Sequence, residues 1–288
     1  MAIINTRPPI NERRLSPTTP PPQELCLGLF EIGRTLGEGS FGRVCVARHR
    51  QSGYSCAIKS ISKDALPRAA VMREIEIQRS LKHPGIVELY AWFEDSSCIY
   101  IILEYAAGGD LCDALRRETR FSEQHAAACI AQVASALAHM HSKNIMHRDI
   151  KLENILLSLN GEVKLADFGL SILSPDNRET SVCGTPEYYA PEMLQPDSPS
   201  YTNAIDSWAL GVLAYELLVG HSPFRSYSWI STPERILERD MDLLPESISP
   251  HAENFIDSLL AMEPSERLSP EAALVHPWIV ENSSPPME

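Results

Sequence analysis

Positive charge is scarce: Lys and Arg number 25 against 38 Asp and Glu, a formal net charge of −13. A surface built to neutralise phosphate backbones needs the opposite balance, so nucleic acid is excluded as the expected partner. Paired cysteines are lacking too. The seven cysteines, Cys26, Cys45, Cys56, Cys98, Cys112, Cys129 and Cys183, are odd in number and form no C-x-x-C, which speaks against a disulfide framework or a zinc site and for a reducing compartment. No long apolar run is present. The most apolar stretch, Trp208 to Gly220, carries Glu216 and is far shorter than the roughly 20 residues that span a bilayer. The opening M-A-I-I-N-T-R-P-P-I has no apolar core of a signal peptide, so the expectation is an intracellular chain without a membrane partner. What is there is ordinary globular material: 44% hydrophobic and 22% charged over 288 residues, enough to bury a core without staples.

Residues 1–24, with Ser16-Pro17-Thr18-Thr19-Pro20-Pro21-Pro22, read as a disordered proline-rich tail. After it, β-branched runs punctuated by glycine at Phe30 to Leu36, Arg43 to His49 and Ser55 to Ile61 predict consecutive antiparallel strands. Ala69 to Leu81 predicts a helix that Lys82-His83-Pro84-Gly85 ends, because proline bars helical geometry to the residue before it. Two further strands are expected at Val87 to Glu94 and Ile99 to Tyr105. Beyond Ala106-Ala107-Gly108-Gly109-Asp110 the pattern turns helical, with Ser122 as a cap and Ile130, Val133, Leu137 and Met140 at helical spacing. The layout is α+β: a small sheet-rich lobe, a glycine-containing hinge and a larger helical lobe, with ligand expected in the cleft between them.

Gly37-Glu38-Gly39-Ser40-Phe41-Gly42-Arg43-Val44 fits G-x-G-x-x-G-x-V between two strands. Alone it is as compatible with a hairpin turn as with a phosphate-binding flap; the strand context favours the flap, whose backbone N–H groups can meet phosphate oxygens. Lys59 in Cys56-Ala57-Ile58-Lys59 would be a surface lysine by default, but Glu74 in the following helix can pair with it and hold it on phosphates. His147-Arg148-Asp149-Ile150-Lys151-Leu152-Glu153-Asn154 supplies a carboxylate for a hydroxyl proton, a cation for the transferring group and an amide oxygen for Mg²⁺, and Asp167-Phe168-Gly169 adds a second metal ligand.

In motif order and content this stretch resembles the eukaryotic protein kinases from about Phe30 to Ile279. Ala190-Pro191-Glu192, Asp206-x-Trp208-x-x-Gly211 and Arg267, the family's partner for the glutamate at 192, agree with it. The resemblance implies a bilobal kinase domain over 25–279, its small antiparallel-sheet N-lobe with one main helix at about 25–105, its helical C-lobe at about 110–279, and a short tail at 280–288. It implies an enzyme that takes ATP and Mg²⁺, and Lys151 with Thr185 places it among serine/threonine kinases. By the same resemblance Asp149 handles the hydroxyl proton, Lys151 steadies the γ-phosphate, Lys59 and Glu74 form the phosphate-holding pair, and Asn154 and Asp167 hold magnesium. Nucleotide is then expected against Leu36, Gly37, Gly39, Gly42, Val44, Ala57, Lys59 and Leu156, bonded to hinge backbone at Glu104 and Ala106 behind Leu103, with Asp110 at the ribose.

Arg148 before Asp149 implies a phosphate in the activation segment, with Ser181 preferred over Thr180 because Arg178 lies three residues upstream. Glu153 and Glu216 occupy positions that accept a substrate arginine in basic-directed kinases, which implies protein substrates with serine or threonine in a basic context. Cys183 is read as a buried structural cysteine before a redox handle, and His83 and His276 as loop or cap residues. Arg73-Glu74-Ile75-Glu76-Ile77-Gln78, Cys183-Gly184-Thr185 and Leu213-Ala214-Tyr215-Glu216-Leu217-Leu218-Val219-Gly220 are most similar to the Aurora kinases. Leu170 and Leu152 depart from that family's usual tryptophan and proline. Kinship with it implies a role in mitosis, a place in cytoplasm and nucleus at spindle, centrosome or centromere, an activating scaffold at the N-lobe and a monomeric catalytic subunit. The alternatives are another arginine-directed kinase subfamily or a pseudokinase scaffold.

Overall fold

The computed structural model describes residues 25–39, 42–195, 200–226 and 231–283. The proline-rich tail at 1–24, Ser40 and Phe41 of the glycine motif, and 284–288 of the C-terminal tail lie outside the described residues.

Strands β1 (Phe30–Gly39), β2 (Gly42–His49), β3 (Ser55–Ser62), β4 (Leu89–Glu94) and β5 (Cys98–Leu103) form one antiparallel sheet in the order β1-β2-β3-β5-β4, with helix α1 (Arg68–Ser80) against it. Side chains alternate across a strand, and pairing of Val44 with Lys59, Lys59 with Ile101 and Ala57 with Leu103 therefore collects Val44, Ala57, Lys59 and Leu103 on one face. Ile61, Ile99 and Ile101 of that face pack with Val71 and Ile75 of α1. Ile58, Tyr100 and Ile102 form a second cluster with Phe30, Ala47, Cys56 and Phe93. A Cβ on Gly42 would lie 2.2 Å from the Ser60 carbonyl oxygen, so a residue without a side chain is what lets β2 close on β3 there.

Element bounds move slightly from those expected. Helix α1 covers Arg68–Ser80, and β5 ends at Leu103. The strand expected from Val87 starts at Leu89 because the backbone before it is committed to the other lobe: Val87 N–H donates to the Leu165 carbonyl at 2.9 Å, and Leu165 N–H to Gly85 at 2.8 Å.

The larger lobe follows β6 (Gly109–Asp110) and α2 (Leu111–Glu118). It contains α3 (Glu123–His141), β7 (Ile145–Met146), β8 (Ile155–Leu157), β9 (Val163–Leu165), β10 (Ile172–Leu173), α4 (Pro191–Leu194), α5 (Ala204–Val219), α6 (Ser231–Glu238), α7 (Pro250–Leu259), α8 (Pro270–Ala273) and α9 (Pro277–Ser283). Ser122 accepts from His125 N–H at 3.2 Å and caps α3 as expected. The apolar run around Trp208 is α5, buried on all sides among α3 and α7, as a helix without a polar face must be. Among the described residues no helix is long and apolar enough to cross a membrane.

Candidate active site

The catalytic loop is suspended from α5. Asp206 in the first turn of that helix accepts His147 N–H on Oδ2 and Arg148 N–H on Oδ1, both at 2.9 Å, and His141 Nε2 bonds Oδ2 at 2.9 Å. Burial alone would raise the carboxyl; the bond from His141 and the charges around it hold it below its ordinary value. These anchors keep Arg148 at φ 71°, a left-handed conformation that a non-glycine side chain adopts only when its surroundings enforce it. His147 is fully buried and its pKa is driven down by that burial. Its Nδ1 accepts from Asp149 N–H at 3.3 Å, so the proton sits on Nε2, 3.1 Å from the Ala166 carbonyl.

Around Asp149 the donors converge. Lys151 Nζ and Asn154 Nδ2 both lie 2.9 Å from Oδ2, while the Thr185 hydroxyl donates to Oδ1 at 2.9 Å and accepts from Lys151 Nζ at 2.9 Å. Asn154 Nδ2 also donates to the Asp149 carbonyl at 2.8 Å, which fixes the amide and leaves its oxygen without a hydrogen bond among the described residues. Gly184, next to Thr185, takes φ 107°, and a Cβ there would lie 2.5 Å from the Arg148 carbonyl oxygen.

Across the cleft, Lys59 Nζ donates to Glu74 Oε1 at 2.7 Å and to Asp167 Oδ1 at 2.9 Å. Glu74 can reach because it shares a helix face with Val71, Ile75 and Gln78, all buried. Desolvation works against the ammonium, yet the two carboxylates outweigh it and raise Lys59 above its usual value; burial would likewise raise Asp167, but Lys59 holds it low. Asp167 sits at φ 59°, and Phe168 behind it is buried edge-on against His147 with ring centres 5.3 Å apart. A metal would find oxygen donors only, the free amide oxygen of Asn154 and the half-exposed carboxylate of Asp167. Among the described residues no group of three or more His, Cys, Asp or Glu is placed to hold a metal ion. Two hard oxygen donors suit Mg²⁺ and not zinc.

The expected nucleotide pocket is only partly a matter of side chains. Ala57 and Leu103 are cross-strand neighbours, and Leu156 pairs with Asp110 between β6 and β8. Leu36 lies at a register shift in β1 and is 38% exposed. A Cβ on Gly37 or Gly39 would meet nothing within 4 Å, so these two keep the roof thin instead of relieving a clash. At the hinge, Glu104 N–H is spent on Glu88 O at 2.8 Å, while the Glu104 carbonyl and Ala106 N–H have no partner among the described residues. Asp110 also caps α2, its Oδ1 accepting Asp113 N–H at 2.7 Å.

In the activation segment Ser181 and Thr180 are both exposed, and Arg148 Nη1 reaches Ser181 Oγ at 2.8 Å. Glu153 is exposed. Glu216 is half-buried: the Tyr188 hydroxyl donates to it, and burial, reinforced by Glu187 and Glu153, pushes it up to about 7. Burial raises the Cys183 thiol, so no thiolate is stabilised there. His83 Nδ1 accepts Gly85 N–H and His276 Nδ1 accepts Trp278 N–H, the loop and cap uses expected of them. Arg267 grips Glu192 with two bonds of 2.6 Å. Sequence reasoning missed His141, Glu179, Tyr188 and Tyr201; nothing in their local spacing marks them, because each acts across a tertiary contact.

The protein kinase domain family matches residues 30–279, and the chain belongs to the protein kinases. It is 45% identical over 271 residues to an Aurora kinase of Schizosaccharomyces pombe, covering 92% of this chain and 76% of that protein. It is 42% identical to Aurora kinase C of Mus musculus, covering 93% of this chain and 98% of that one, and 44% identical to Aurora kinase A-A of Xenopus laevis, with 91% of this chain and 64% of that protein covered. Within the kinases it belongs to the Aurora family: a serine/threonine protein kinase that uses ATP and Mg²⁺ on protein substrates.

Proposed function

We propose that the chain phosphorylates serine or threonine in basic sequence contexts, with each residue of the cleft in a distinct role. Asp149 orients the substrate hydroxyl and takes its proton, on the oxygen that Thr185 now occupies. Lys151, already within 2.9 Å of both Asp149 and Thr185, balances charge on the group in flight. Lys59, steered by Glu74, holds the non-transferring phosphates. Asn154 and Asp167 would hold Mg²⁺, which would supply positive charge against the phosphate oxygens. The adenine edge is met by the unpartnered Glu104 carbonyl and Ala106 N–H, under Val44 and Ala57 and over Leu156. Positioning and fixed charge supply the rate, since phosphoryl transfer asks little covalent chemistry of the protein.

One observation carries the reading: a single ammonium joins Glu74 of the small lobe and Asp167 of the large one, which assembles the phosphate site. A basic target preference is supported by Glu153 and Glu187 lying close enough to Glu216 to raise it. An activating scaffold on the N-lobe is supported by the exposed Leu25, Leu27 and Ile32. Aurora kinship supports a mitotic role at spindle, centrosome or centromere, with a monomeric catalytic subunit and Ser181 as activating phosphosite. The test is phosphate incorporation into a serine peptide with arginines upstream of the target. Asp149→Asn should lower it on the order of a thousandfold. Equal rates in wild type and variant would remove Asp149 from the chemistry, and preference for an acidic peptide would remove the basic specificity.

A further inference from the structure

The guanidinium of Arg148 lies under the activation segment, its Nη1 2.8 Å from Ser181 Oγ. It stays protonated at any working pH and so calls for a counter-charge. Among the described residues it has one carboxylate within ion-pairing distance, Glu179, whose Oε2 lies 3.7 Å from Nη1 with the two side chains only 17% and 8% exposed. A cation so far from water is costly without a counter-charge.

Glu179 is held in place independently of that pair. Its backbone N–H donates to the Tyr201 carbonyl at 2.9 Å and its carbonyl accepts Tyr201 N–H at 2.8 Å. Its Oε1 accepts the backbone N–H groups of Thr180 at 2.8 Å and Ser181 at 3.4 Å, which leaves Oε2 for Arg148. Tyr201 closes the junction, accepting from Arg148 Nη1 at 3.2 Å and donating to the Ser181 carbonyl at 2.5 Å. We propose that Glu179 is a built-in counter-charge for Arg148, holding the activation segment in its working arrangement before Ser181 is phosphorylated, and that a phosphate on Ser181 takes its place. The carboxylate brings one negative charge where a phosphoserine brings roughly 1.5 to 2, so the phosphate wins the guanidinium and Glu179 becomes dispensable.

This inference rests on the reading of Arg148-Asp149 as the catalytic loop, and its test separates the two. Glu179→Gln keeps the oxygen that receives the Thr180 and Ser181 amides and removes only the charge. The full chain is prepared in two forms, phosphatase-treated and with phosphoserine installed at position 181 by codon suppression. In the treated form the variant should lose about tenfold in kcat with KM for ATP unchanged; in the phosphoserine form it should stay within about twofold of wild type. No loss in the treated form, or an equal loss in both, overturns the proposal. Should neither form of wild type transfer phosphate, the kinase reading fails while hydrogen exchange still decides this one. Faster exchange at the amides of 179–183 in the unphosphorylated Gln variant supports the counter-charge, and unchanged exchange refutes it.

Discussion

Lys59 and Glu216 show how the same burial serves opposite ends in single residues. The ammonium keeps its charge because Glu74 and Asp167 lie within 2.7 and 2.9 Å, whereas Glu216 has only a hydroxyl and other carboxylates for company and is pushed up to about 7. Its ionisation therefore falls within the working range of pH. If targets are basic as proposed, the ionised form would attract a substrate arginine and the protonated form would not. KM for a basic peptide is expected to fall as pH rises from 6 to 8 in wild type and to change less in Glu216→Gln; a parallel dependence in both would assign the effect elsewhere. Linkage runs the other way for stability. A carboxyl whose folded value lies above its unfolded 4.5 favours the fold at low pH and loses that contribution as pH climbs through about 7. The denaturation midpoint of wild type relative to Glu216→Gln should accordingly decline between about pH 4.5 and 7 and level off above that, and a rise would contradict the assignment.

Helix α5 is the element on which the catalytic loop depends, and through one side chain. Asp206 satisfies two buried backbone donors that belong to His147 and Arg148. Asp206→Ala leaves both unpaired and should cost about 3 kcal/mol of unfolding free energy, as orphaned buried groups do, with a fall in kcat on the order of a hundredfold as the loop loses its position; urea denaturation and steady-state rates measure the two. Intact turnover would show that the loop holds its shape unaided. Much of this arrangement is legible beforehand. Strand alternation in Cys56-Ala57-Ile58-Lys59 puts Lys59 on the face toward α1, helical spacing puts Glu74 on the facing stripe, and the Arg267–Glu192 pair follows from family likeness. What escapes is whatever depends on chain segments meeting: His141 on Asp206, Tyr188 on Glu216, and Glu179 on Arg148. Each of those residues is unremarkable in its own window, since a short polar side chain carries no periodicity. The shortened start of β4 has the same origin, backbone donors diverted to Leu165.

At the scale of the molecule, two lobes built on different principles, a twisted antiparallel sheet and a helical bundle, share one cleft, and few polar links cross it. Lys59 to Asp167 is one, and the pairing of Gly85 and Val87 with Leu165 is another. Nucleotide entering the cleft adds ligand contacts to both lobes at once, so binding should stabilise the whole chain and not one half, by about 2.7 kcal/mol at a hundred times Kd. The metal's share of that gain is separable without any turnover. ADP with Mg²⁺ should raise Tm of wild type more than ADP with EDTA, because Asp167 of the large lobe would hold the cation under the proposed assignment. Asp167→Asn keeps the size of the side chain and a neutral oxygen, but it gives up the charge that pairs with Lys59 and would attract Mg²⁺. In that variant the shifts with and without Mg²⁺ should coincide, while the shift from ADP alone persists on the hinge groups of Glu104 and Ala106. A full magnesium-dependent shift in Asp167→Asn would mean that the cation is held elsewhere, and with it the link between the lobes.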